Sequence, residues 1–176
     1  MASSVGGNLD YLATGPSKLT WNSFALGHTQ GGVSVNVAVQ QRERKVDEFG
    51  ENVVDLVHTG DKIEIKTSLP ERSMRTLTTV YKLNGTAFTS YEGLGKLPGT
   101  TGRSVAGPLV IHPLFMGAAT TRDVTFYKTV PMPSGDVQMG SAGNDQVFQV
   151  TFMALVDDTK GDGLLFGRIS EPRNVS

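Results

Sequence analysis

Alternation of apolar and polar residues, rather than a helical period, dominates this chain. Gly31-Gly32 opens the clearest case, with Val33, Val35, Val37 and Val39 on one side and Ser34, Asn36, Ala38 and Gln40 on the other. That is the signature of a strand with one face toward a core and one toward water. The polar continuation QQRERKVD holds no Gly or Pro to stop it, so the strand is expected to project past the domain body as an arm. Phe49-Gly50 and Asn52 mark the arm's bend, residues 53–57 bring the chain back, and His58-Thr59-Gly60-Asp61 predicts a second turn. Ile63 and Ile65 then alternate with Lys62, Glu64 and Lys66 in another half-buried strand.

Residues 18–27 predict a first strand, with Leu19, Trp21 and Ser23 set against Thr20, Asn22 and Phe24. Strands resume at 108–113 (PLVIHP), 123–130 (DVTFYKTV) and 146–156, where Phe148, Val150, Phe152, Ala154 and Val156 share a side. A turn cluster at 157–163 precedes a short last strand at 164–169.

One segment changes period. Ser68-Leu69-Pro70-Glu71 has the form of a capping box with proline in the first turn. Met74, Leu77, Val80 and Tyr81 follow at spacings of three and four, and Asn84-Gly85 is a stop signal. This predicts the one substantial helix, over about residues 69–83, with Glu71, Arg72, Arg75 and Lys82 in water. Residues 86–107, dense in Gly, Thr and Pro, predict a long loop that is functional or ordered by a partner. Two groups of strands with a helix between them imply a mainly β fold: a two-sheet β-sandwich or barrel with one flanking α-helix and a long β-hairpin arm.

At 176 residues the chain is expected to form one domain, over 18–170, between a mobile or partner-ordered N-terminal arm at 1–17 and a C-terminal tail at 171–176. Tyr11 and Leu12 are candidate anchors for a neighbour within that first arm. The absence of cysteine excludes disulfides, thiolate metal sites and a cysteine nucleophile. The N-terminus lacks the basic and apolar regions of a signal peptide, and no apolar run is long enough to span a bilayer, so synthesis in the cytoplasm and no membrane partner are expected. Sixteen basic residues against seventeen acidic ones give no basic excess, which disfavours tight nucleic-acid binding but not transient proximity to DNA.

Motifs for catalysis are wanting. His28, His58 and His112 stand far apart in sequence and fit no metal spacing, so they are read as turn or packing residues. In EGLGKLPG, residues 92–99, the Gly-Lys of a phosphate loop is followed by Leu97-Pro98 instead of Ser or Thr. A calcium loop starting at Asp158 would place Lys160 and Ile169 where oxygen ligands belong, so 157–163 is read as an acidic turn. Gly102-Arg103-Ser104 and Gly140-Ser141-Ala142-Gly143 are not a nucleophile elbow. Neither an enzyme nor a cofactor is expected. Arg42, Arg44 and Lys45 are interleaved with Glu43, Asp47 and Glu48, a pattern of a solvated or subunit-bridging face rather than a nucleic-acid patch.

As an ordered set, these segments carry a likeness. A valine-alternating strand after Gly-Gly, VDEFG, VVDLVHTGDKIEIKTSLPE with its helix, a Gly/Thr loop, PLVIHP, DVTFYKTVP, QVFQVTFMALVDD and LLFGRIS together resemble the major tail tube protein of long-tailed bacteriophages, over about residues 19–169. The resemblance implies a virion protein, made in the host cytoplasm, that forms six-subunit rings stacked into a hollow tube through which the genome leaves. Its implied partners are other copies of itself and the tape-measure, tail terminator and tail-tip proteins, with DNA passing and not specifically bound. It further implies that residues 41–57 reach an adjoining subunit or ring. Arg42, Arg44, Lys45, Asp47, Glu48, Phe49 and Glu51 are accordingly the candidate intersubunit contacts. The alternatives are a carbohydrate- or receptor-binding β-sandwich of a virion, and the inner tube protein of a contractile apparatus.

Overall fold

A computed structural model of the chain describes residues 16–70, 76, 80, 99, 101–120, 122–133, 147–161 and 163–170. The described part is mainly β, as the alternation predicts. Its strands are β1 (Ser17–Trp21), β2 (Phe24–His28), β3 (Gln30–Lys45), β4 (Val53–Leu69), β5 (Gly107–Pro113), β6 (Val124–Pro133), β7 (Phe148–Ala154) and β8 (Gly167–Ile169). All pairings are antiparallel, in the order β2-β1-β5-β6-β7-β4-β3, with β8 added beside β6. The expected two sheets are thus one continuous sheet, and it does not close into a barrel. What makes it resemble a sandwich is its curl, which brings Trp21 of β1 to Phe152 of β7 with ring centroids 6.3 Å apart.

The core lies inside that curl. Leu19, Trp21 and Leu26 meet Ile65, Leu69, Leu109 and Phe152, each fully buried. Burial of side chains this large supplies the main favourable term for folding, at roughly 1.5–3 kcal/mol for each. The indole Nε1–H of Trp21 donates to the Thr129 carbonyl at 3.3 Å, and the Thr129 hydroxyl donates to the Gly107 carbonyl at 2.9 Å. Two buried polar groups are thereby satisfied on the β5–β6 seam.

Several sequence expectations need correction. Residues 18–27 form two strands, joined by Asn22 (φ 48°) and Ser23 (φ 65°). Two successive left-handed residues make the hairpin turn whose twist matches that of its strands, and Asn is among the few non-glycines that adopt it readily. The turn lies against Gly107, where a Cβ would come within 2.9 Å of the Asn22 Cβ. His58 to Asp61 is not a turn but lies within the 17-residue β4. Pairing steps from Gln40↔Gly60 to Gln41↔His58, which leaves Thr59 as the extra residue of a bulge. A second bulge leaves out Val54, between Arg44↔Asp55 and Lys45↔Val53.

Ser68 and Leu69 belong to β4, paired with Gln149 and Phe148, so Ser68 is no helix cap. Of the predicted helix, Thr76 and Val80 are helical and buried, and the remaining residues of 71–83 lie outside the described residues. The same holds for residues 1–15, for 86–98 and 100 of the long loop, and for 171–176. Gly102–Val105 forms a single helical turn. Among the described residues no helix is long and apolar enough to cross a membrane.

Candidate assembly interface

The 16 residues of β3 and 17 of β4 form a two-stranded ribbon far longer than the body can cover. Among the described strands only the base of β4 is flanked on both sides: β7 pairs residues 64–69, while from Ile63 outward β3 is its one described partner. The other edge of β3 pairs with no described strand. At the ribbon's foot Gly31 (φ 78°) and Gly32 (φ 85°) are extra residues between Gln30↔Ser68 and Val33↔Thr67, in a backbone region that favours glycine. At its tip Asp47–Phe49 make a 3-10 turn, closed by Gly50 at φ 64° and by Asn52 Nδ2 donating to the Phe49 carbonyl at 3.0 Å.

The two faces of the ribbon differ. Val35 and Val37 stand opposite Ile65 and Ile63, so they carry the core face outward beyond the core. The sequence reading placed these valines in the core, but Val35, Val37 and Val39 remain 43%, 52% and 55% exposed. Alternation fixes which side they take; it does not say whether anything covers that side. Val46, Phe49, Val53, Val54 and Leu56 continue the exposure toward the tip, with Phe49 at 59%. On the opposite face Ser34, Asn36, Ala38 and Gln40 stand beside Lys66, Glu64, Lys62 and Gly60. There Glu64 sits between Lys62 Nζ at 2.8 Å and Lys66 Nζ at 3.6 Å, and the Lys62 bond chiefly holds its carboxyl below the usual range.

All seven candidate contact residues lie on this ribbon. Arg42 and Arg44 take the polar face opposite Val57 and Asp55, Lys45 takes the valine face opposite Val53, Asp47, Glu48 and Phe49 form the tip, and Glu51 follows it. None of the six charged ones is in an ion pair among the described residues.

Beside the ribbon's base is a groove that the sequence did not reveal. Val35, Val37 and Ile63 form one wall and Val124, Phe126, Leu164, Phe166 and Ile169 the other, around about 780 Å³. It is the mouth of the curl, between β3–β4 and the β6–β8 pair. Gly167 permits β8 to lie there, because a Cβ at that position would collide with the Thr125 carbonyl oxygen.

The remaining candidate chemistry is occupied internally. Asp157 accepts from Lys128 Nζ at 2.8 Å and from the Thr159 hydroxyl at 2.9 Å and amide at 3.2 Å, and these bonds, Lys128 first, lower its pKa to about 2. Asp158 pairs with Arg103 at 2.6 Å. Asp157 and Asp158 of the acidic turn are thus committed to cations, a hydroxyl and an amide of the chain, and Asp162 lies outside the described residues. His112 donates from Nδ1 to Asp123 at 2.6 Å and from Nε2 to the Gly117 carbonyl at 2.8 Å. With both ring nitrogens facing acceptors, the charged imidazolium is favoured and the pKa is raised. His58 pairs with Asp61 at 2.8 Å on the surface. Trp21, which a sugar-binding face would need in the open, is fully buried. Among the described residues no three His, Asp or Glu gather as a metal site. Comparison with known protein families and with curated proteins finds no match for this chain.

Proposed function

We propose that this chain is a structural protein that works by self-assembly, its subunits joining through the β3–β4 ribbon into stacked rings that form the tail tube of a long-tailed phage. One observation carries the reading: a ribbon of 16- and 17-residue strands leaves a valine face, a polar face and one whole backbone edge without cover among the described residues. An exposed apolar edge of that length invites strand addition in a monomer, whereas a closed ring pairs each such edge with the next subunit. The six-fold ring, the virion location, and the tape-measure, terminator and tail-tip partners rest on the resemblance in the order of segments.

The polar face supports the same reading. Ser34, Asn36, Gln40, Gln149 and Thr151, with Glu64 held between two lysines, present a wet surface of mixed charge. Facing a bore, such a surface lets a polyanion slide, where a basic one would retain its phosphates. Deleting Glu43 through Asn52 tests the proposal. The variant is expected to remain a folded monomer and to form no tubes in electron micrographs, and tubes of normal length would refute it.

A further inference from the structure

The groove at the mouth of the curl has a mostly apolar lining, with the mutually paired His58 and Asp61 on the ribbon side and Arg168 on the β8 side. Val35, Val37, Phe126 and Ile169 line it, and Arg168 beside them is in no ion pair among the described residues. The ribbon tip has the complementary character. Phe49, 59% exposed, lies in a tip segment that also holds exposed Val46 and Val53 and three acids, Asp47, Glu48 and Glu51, likewise without ion pairs among the described residues. A groove of about 780 Å³ has room for the Phe49 side chain together with tip residues beside it.

We infer that the groove receives the Phe49 tip of a second copy of this chain, with Asp47 or Glu48 of the tip facing Arg168 of the groove. The chain's own tip is excluded by reach. From Val37 in the groove to Lys45 the ribbon runs on in paired strands without doubling back, which at ~3.3 Å per residue carries the tip up to ~25 Å beyond its own groove. Tip and groove are therefore different surfaces of one subunit, and joining them is head-to-tail: it closes into a ring or continues as a filament. This inference rests on the self-assembly reading above and names the contact that carries it.

The absence of native cysteine makes the test direct. Glu48→Cys and Ile169→Cys are made as separate full-length variants, mixed, allowed to assemble and oxidised. Covalent dimers are expected from the mixture and from neither variant alone, and Phe49→Asp is expected to abolish assembly while its circular dichroism spectrum matches that of the parent. Assembly without the mixed disulfide, tip-to-tip dimers of Glu48→Cys alone, or normal assembly of Phe49→Asp would overturn the tip-in-groove contact and leave self-assembly standing. A parent chain that sediments only as a monomer at high concentration would overturn both.

Discussion

Replacing Val35, Val37 and Val39 together by threonine separates a core role from an interface role. Threonine keeps the branched β-carbon and the strand preference, so the ribbon itself is little disturbed. The exposed fractions of 43%, 52% and 55% amount to about one and a half whole valine side chains still facing water in the monomer. Full burial of such a side chain is worth ~1.5–3 kcal/mol, so covering the remainder in an assembly contributes ~2–4 kcal/mol for each interface. At 1.4 kcal/mol per tenfold, the concentration at which assembly begins should rise by ~30- to 700-fold in the triple variant. Sedimentation velocity across a dilution series reads that midpoint, and thermal unfolding of the dispersed monomer reads stability separately. The reasoning fails if the assembly midpoint stays within a few-fold of the parent. It fails equally if assembly is kept and the monomer alone melts many degrees lower, since the valines would then belong to the core.

Three further outcomes follow from the body of the domain. His112 is held by Asp123 and the Gly117 carbonyl, against Lys18, which opposes its charge; since its folded pKa is raised, its stabilising contribution is complete below the unfolded value near ~6.5 and is lost as pH rises through the folded one. The difference in urea midpoint between parent and His112→Gln should therefore shrink from pH 5 to pH 9, and a difference that widened would contradict the geometry. For Asp157 the sign is reversed: its contribution is present above the unfolded pKa and is lost as pH falls from about 4 toward about 2, so its carboxyl carbon should titrate by NMR with a midpoint about 2. A midpoint near 4 would mean that the Lys128 and Thr159 bonds do not persist in solution. In Gly167→Ala the new methyl meets the Thr125 carbonyl, which should lift β8 from β6, lower stability by ~1–3 kcal/mol and expose the Tyr127 amide, now bonded to the Phe166 carbonyl, to hydrogen exchange. Unchanged protection at Tyr127 would refute the close approach.

The sequence made strand identity legible wherever residues alternate, because one residue's side is fixed by its neighbours'. Phe148, Val150, Phe152 and Ala154 are buried as their spacing requires, and QQRERKVD does extend as an arm. Three features were hidden for physical reasons. Asn22-Ser23 lacks the glycine that usually marks a two-residue hairpin turn, so β1 and β2 read as one strand. Thr59 and Gly60 have turn composition, yet a paired strand absorbs them as a bulge. The groove depends on β8 facing the ribbon's base, a juxtaposition of residues some 130 positions apart for which a local pattern holds no information. The seven candidate contacts were read from one continuous segment, and the structure sets that segment on the ribbon and its tip. The wall they are inferred to meet comes from the far end of the chain.

The unpaired Thr59 and Val54 leave a rule for altering the ribbon's length. Each shifts the parity of β4 by one, so that Leu56 joins the side of Glu43 while Val57 joins that of Arg42. Adding or removing a single position of β3 beyond Gln40 would turn every later residue of that strand to the other side of the ribbon, bringing Arg42 and Arg44 to the side of Leu56 and Val53. Matched pairs, two on the outbound strand and two on the return, would lengthen the ribbon and leave its sides as they are.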